Sequence, residues 1–219
     1  MMPSRTALGL TGALVLGLAA IIFAAVAMAR VNELSLPLPA SLPALNLLIP
    51  IVTAIAWPSA RKTVRSVQKH ALRLALPYLA SASTFAPFIL LILSLVYSIP
   101  SDIQSCAADQ HWLRMFEDKD SRSIRSIQAR LQCCGFNSMH DRAWPFPSHD
   151  ADARTCERTQ GYTIACGTTW RQEESLAAAL CAVASFLNWL AMVRPWVIML
   201  PCNNTYILTG HRCGHLPTG

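Results

Sequence analysis

Charge is scarce in this sequence: Asp, Glu, Lys and Arg make up 14% of its 219 residues, against roughly a quarter in soluble domains. The scarcity is also local. Thr6 to Ala29, Leu34 to Ala60, Leu74 to Ser101 and Ser175 to Val193 contain none of the four, and each is long enough to cross a hydrocarbon core, which takes about 20 residues of helix. With 53% hydrophobic residues and a mean hydropathy of +0.36, a soluble globular domain is disfavoured. Catalytic signatures are missing too: there is no Gly-x-Ser-x-Gly, no His-Glu-x-x-His, no glycine loop to cradle phosphate and no membrane-embedded pair of acids. The six histidines are scattered. We therefore expect no enzyme, no catalytic residue, no cofactor and no metal; His140 and His149 lack the paired close spacing with cysteine that structural zinc motifs use.

The charge that is present has a pattern. The net charge of +6 and the pI near 9.1 do not mark a nucleic-acid partner, because no long polar segment carries a basic stripe. Instead Arg61, Lys62, Arg65, Lys69 and Arg73 crowd between two apolar windows, as in a cytoplasmic loop. Residues 102 to 174 hold nine basic and eleven acidic residues, a net of 9 − 11 = −2. These features predict an all-α membrane protein. Its cytoplasmic amino tail covers 1–5, the first transmembrane helix 6–29, a small extracellular loop 30–41 and the second helix 42–60. A basic cytoplasmic loop at 61–73 leads to the third helix at 74–101, a large extracellular loop at 102–174, the fourth helix at 175–193 and a cytoplasmic carboxyl tail at 194–219. The first window could pass for a signal peptide, but at 24 residues it exceeds the roughly 7 to 15 of a signal's apolar region.

Within the windows, Gly9, Ala13 and Gly17 recur four apart, as do Gly12, Ala20 and Ala24 with Leu16 between them. Small residues at that spacing allow close helix packing in lipid. Pro50 in the second window predicts a kink and a freed carbonyl that a neighbouring helix or water must satisfy. Asn46 and Asn188 are the main amide-bearing side chains in the spans, and Trp57 and Tyr97 sit where interfacial aromatics are expected.

Five of the eight cysteines (Cys106, Cys133, Cys134, Cys156 and Cys166) fall in the long polar loop, which points to an oxidising compartment. Asp102 to Phe116 reads as a helix continuing the third span outward, with Ile103, Ala107, Leu113 and Phe116 on its apolar side. Ser121 then caps a second helix in which Ile124, Ile127 and Leu131 recur at spacings of three and four. That helix runs into Cys133-Cys134-Gly135. Adjacent cysteines seldom bond to each other because the geometry is strained, so Cys156 and Cys166 are the available partners in either of two arrangements. Gly135 is expected to supply a turn. Trp144 and Phe146, between prolines, either fill a small core beneath the bridges or form a contact patch. Cys106 leaves the count odd and is expected to be an inert buried thiol, Cys181 a packing residue.

Four apolar spans, a tiny first loop, a large second loop and Cys133-Cys134-Gly135 about a third of the way through it resemble the tetraspanin family. Leu131 to Phe136, with Asp141-Arg142-Ala143-Trp144-Pro145-Phe146-Pro147 after it, is similar in particular to tetraspanins of filamentous fungi. The resemblance covers the whole chain in layout, and its distinctive motif lies between residues 131 and 166. It implies nested bridges, Cys133 with Cys166 and Cys134 with Cys156. It also implies palmitoylation of a juxtamembrane cysteine, for which Cys202 is the best placed. A lateral scaffold in a plasma or endosomal-type membrane follows, its partners being membrane lipids and other membrane proteins, with a homo-oligomer among the options and no nucleic acid. The chain departs from the family in having no acid in its spans. The competing class is a small four-span transporter, channel component or accessory subunit, which would need more polar groups facing a path between the helices.

Overall fold

The computed structural model of the chain describes residues 5–66, 70–147 and 152–208, and side chains within 11–55, 84–147 and 152–193. Seven helices occur among these residues: α1 (Arg5–Glu33), α2 (Ser41–Ser66), α3 (His70–Ser98), α4 (Asp102–Glu117), α5 (Ser121–Leu131), α6 (Thr155–Gln160) and α7 (Cys166–Leu208). The protein is all-α. Two stretches, Thr11–Glu33 and Cys166–Val193, are long and apolar enough to cross a bilayer. A third candidate arises if Thr84–Ser98 is counted with α4, and Ser41–Ile55 is a shorter apolar helix. The basic residues Arg61, Lys62 and Arg65 continue α2, Arg73 lies in α3, and Lys69 lies outside the described residues.

α7 is the axis of the bundle, packing along α1 and α3, with α2 beside α1, α3 and α7. Ala20, Ala24 and Ala27 of α1 are fully buried, so the small-residue face allows the close approach that helix association in lipid requires. On α7 the facing positions are also small: Ala177, Ala178, Cys181, Ala182, Ala184 and Ser185 are buried. Ala13 and Gly17 are half-buried, and a Cβ added to Gly17 would touch Pro50 of α2 at 3.7 Å. The surroundings of Gly9 lie outside the described residues.

Pro50 sits within a continuous α2. Having no N–H, it frees the carbonyl of Asn46 four residues earlier. That carbonyl accepts from Asn188 Nδ2 of α7 at 3.1 Å. Asn46 Oδ1 accepts from Ser185 Oγ at 2.9 Å, and Asn46 Nδ2 donates to the Leu42 carbonyl at 3.1 Å. All three side chains are buried. A neighbouring helix thus satisfies the backbone group that proline orphans, and the two amides singled out from sequence are the ones brought together.

α4 does not continue α3 outward: the chain bends by 79° between them. Pro100 lacks the N–H that would extend α3, and Ser101 starts a new helix by accepting from Gln104 N. The apolar side expected of α4 is also displaced. Ile103 is 83% exposed, and Ala107 and Leu113 face outward, while Ala108, Trp112 and Met115 are buried. Trp112 has the most apolar surface to remove from water, so its burial sets the helix rotation. α5 starts one residue earlier than expected in its capping, since Asp120 rather than Ser121 accepts from Ser123 N, at 3.1 Å. The capping bonds also hold the Asp120 carboxyl below the usual range.

Candidate functional site

The region between α3 and α7 is built around two disulfides. Cys133 is joined to Cys166 and Cys134 to Cys156, so the second bridge closes inside the first. α5 ends when Gln132 takes a left-handed conformation (φ 51°), and the Cys133 amide then donates back to the Gln128 carbonyl at 3.1 Å. This places Cys133 and Cys134 on a short extended segment that pairs with the start of α7. The Cys134 amide donates to the Ile164 carbonyl at 2.9 Å and the Cys166 amide to the Gly135 carbonyl at 3.1 Å. The backbone pairing brings both ends of the outer bridge into register.

Gly135 has φ +62°, and a Cβ there would lie 2.2 Å from the Ser138 carbonyl oxygen and 2.6 Å from that of Asp141. Both are backbone atoms, so the turn is closed to any side chain. It sits three residues beyond Gln132, which is the residue that takes the chain out of the helix. Gly167 is equally constrained by closeness: its Cβ would meet the Phe136 carbonyl oxygen at 2.8 Å. Gln128 ties these parts together from full burial. With its amide oriented to satisfy both ends, the oxygen accepts from Gly135 N at 3.2 Å and Trp144 N at 3.3 Å, while the nitrogen donates to Trp144 O at 3.1 Å.

Beneath the bridges lies an aromatic core. Trp112 and Trp170 meet edge to face at 5.6 Å between centroids, and Phe136 lies 5.3 Å from the first and 6.0 Å from the second. All three are buried. Such pairings add to the burial term, which is itself about 1.5–3 kcal/mol for a large apolar side chain. Trp112 donates Nε1 to the Arg142 carbonyl at 3.1 Å and Trp170 donates Nε1 to the Leu34 carbonyl at 2.9 Å. Trp144 and Phe146 are half-buried at the rim of this core. Arg125 covers Trp144 at 5.0 Å, Lys119 lies 5.0 Å from Phe146, and Phe116 packs edge to face on Phe146 at 5.3 Å.

The short link between α1 and α2 is part of the same body. Leu34, Leu36 and Leu38 of the link, with Val31 at the end of α1, are buried in the core that holds Trp112, Ile124, Ile127 and Trp170. His111 Nε2 lies 3.1 Å from the Ser35 carbonyl, and burial, the dominant effect, lowers the pKa of this imidazole. Ion pairs reinforce the docking, with Arg30 on Glu173 and Arg130 on Glu33, the latter at 2.6 Å. Partly exposed pairs of this kind each contribute little, so the buried leucines and the Trp170 bond dominate.

On the outer side, Arg142 bonds Asp109 at 2.7 Å and Asp141 at 2.8 Å while lying over the Phe136 ring at 5.4 Å. Hydrogen bonding to Arg142, followed by the bond from Asn137 N, holds the Asp141 carboxyl below its ordinary range, against an opposing push from burial. The same bonds raise the Arg142 guanidinium. Cys134, Ala143 and Cys156 form a smaller apolar cluster with Met139 and Tyr162 around it. Residues 148–151 lie outside the described residues, as does the side chain of Cys202.

Cys106 is exposed, contrary to the expectation of a buried thiol, because it lies on the outward face of α4 once Trp112 fixes the rotation; Cys181 is buried. Among the described residues no group of three or more His, Cys, Asp or Glu side chains could hold a metal. Sequence reasoning passed over Trp112, Trp170, Gln128 and Gly167. The spacing of Ala108, Trp112 and Met115 signals the first, whereas nothing local marks a buried glutamine or a helical glycine pressed against a distant carbonyl. Comparisons with protein-family models, with curated proteins and with solved structures find no match to this chain.

Proposed function

We propose that this chain is a tetraspanin-like scaffold that crosses the membrane four times and assembles other membrane proteins laterally. In this reading α1, α2, α3 and α7 are the spans and the bridged region between α3 and α7 is extracellular. The small loop at 30–41 is on the same side, and both termini are cytoplasmic, in a plasma or endosomal or vacuolar membrane. The observation that carries the reading is the nested pair of disulfides springing from adjacent Cys133 and Cys134. Bridges of this kind persist in oxidising compartments, and the basic cluster at 61–73 favours the opposite side. The partner-facing surface is assigned to residues 137–155, the stretch of sequence between the two cysteines of the inner bridge, which carries Arg142. Recognition by lateral contact fits the buried amides of the bundle, since Ser185 and Asn188 both bond Asn46.

Two measurements test it. In the chain resident at the cell surface, the exposed thiol of Cys106 should react with a membrane-impermeant maleimide on intact cells, and Cys106→Ser should remove that signal; labelling of that surface chain only after permeabilisation would reverse the topology. Partners crosslinked to the wild-type chain in native membranes should be lost from Cys134→Ser, which breaks the inner bridge. Unchanged partner recovery by that variant would eliminate the bridged region as the recognition element.

A further inference from the structure

Where α3 gives way to α4, a half-open cavity of about 720 Å³ lies between that bend and α7, a volume typical of small-molecule sites. Its walls change character along their length. Tyr97, Leu176 and Ala179 form an apolar end, and Asp102, Arg171 and Glu174 form a charged one. Beside the cavity, Val96 and Ile99 are exposed apolar side chains, as is Leu176 in its wall, so its open side meets the surface that faces lipid in a membrane-spanning bundle.

Glu174 sets this cavity apart. The residue is only 7% exposed, its carboxylate opens onto the cavity it lines, and it makes no hydrogen bond or ion pair among the described residues. Its neighbour Glu173 is paired with Arg30. Arg171 donates Nε to the Gly167 carbonyl at 3.1 Å but makes no ion pair with Glu174. Of the other polar groups of the wall, Gln104 donates to the Val96 carbonyl at 3.0 Å and Ser175 to the Ser98 carbonyl at 2.7 Å. A carboxylate held largely out of bulk water with no protein partner takes its donor from whatever fills the cavity. What the cavity lacks is a cationic donor that reaches Glu174, together with an anion for the free face of Arg171.

We propose that this cavity binds the headgroup of a phosphatidylethanolamine-type phospholipid, with the primary ammonium on Glu174 and the phosphate on Arg171. The chemistry selects within the phospholipids. Two carboxylates against one guanidinium disfavour an anionic headgroup, and a serine headgroup brings a third carboxylate beside Asp102. A choline headgroup has charge but no N–H to give the carboxylate oxygens. The glycerol and proximal acyl carbons rest on Tyr97 and Leu176 at the open, apolar end.

The test uses the full chain purified in detergent, with native mass spectrometry to count bound lipid during titration with phosphatidylethanolamine, phosphatidylcholine, phosphatidylserine or phosphatidylglycerol. One phosphatidylethanolamine should bind on the order of tenfold more tightly than each of the others, the scale of one charge-assisted partner. Glu174→Gln should erase that preference, and Arg171→Gln should weaken retention of phosphatidylethanolamine by a similar factor. Should Glu174→Gln fail to fold, Ala179→Trp, which fills the apolar end, must abolish retention while the disulfides stay intact. Equal retention of the four lipids, or a preference that survives both Glu174→Gln and Ala179→Trp, would overturn the proposal. So would displacement of the lipid by free phosphoethanolamine at equal concentration, which would assign the cavity to a soluble amine instead.

Discussion

Gly135 is the residue on which the bridged region turns. Its backbone has φ +62° and its missing Cβ is replaced by two carbonyl oxygens within 2.6 Å. Gly135→Ala should therefore destabilise the region by at least about 2 kcal/mol, from left-handed strain plus the forced displacement of backbone; loss of near-ultraviolet circular dichroism at lower temperature measures it. Asp141 offers a separate test through pH. Its folded pKa is depressed, mainly by Arg142, so its stabilising contribution is complete above the unfolded value of about 3.9 and disappears as pH falls through the lower folded value. The stability gap between wild type and Asp141→Asn should hold constant above about pH 5 and close below it, which acid-dependent melting of the two proteins would reveal. The importance of Gly135 is readable in the sequence because a glycine after two cysteines marks a turn. Gly167 is not readable, because its constraint comes from Phe136, thirty-one residues away.

Among the helices, α2 and α7 owe their specific contact to a proline. Pro50 frees the Asn46 carbonyl, and Asn188 Nδ2 fills the vacancy at 3.1 Å. Asn188→Leu should weaken the bundle by about 1 kcal/mol, the scale of an interhelical hydrogen bond in membrane. Pro50→Ala restores the helical N–H and should recover part of that loss; reversible unfolding in bicelles, read as a double-mutant cycle, tests the coupling. The freed carbonyl and both amides were visible in sequence as separate facts. Their meeting depends on the rotation of two helices that share no local signal. The same limit explains α4, where of the expected apolar side Ile103, Ala107, Leu113 and Phe116 only Phe116 packs against the core. A helix of mixed composition has several plausible apolar arcs, and the neighbour that receives Trp112 decides among them.

For the molecule as a whole, the bridged region is held both by sulfur and by the link between α1 and α2. Each disulfide contributes about 2–4 kcal/mol by restricting the unfolded chain, and the buried leucines of the link add a contact that reduction leaves in place. Reduced protein should accordingly lose the fold around Cys134 and Cys156 before the core around Trp112 and Trp170. Hydrogen exchange after reduction should report faster exchange at residues 137–162 than at α4 and α5; uniform exchange throughout would show that the bridges alone hold the region. Charge distribution and residue spacing by themselves determined that the chain is helical and membrane-embedded in character and that its cysteines gather in one polar segment, because those properties follow from which residues water rejects. Only the tertiary structure decided that the short link is built into the bridged core, that α4 folds back from α3, and that Glu174 is left facing a cavity. These depend on contacts between residues far apart in the chain, where the burial of one large side chain outweighs any local preference.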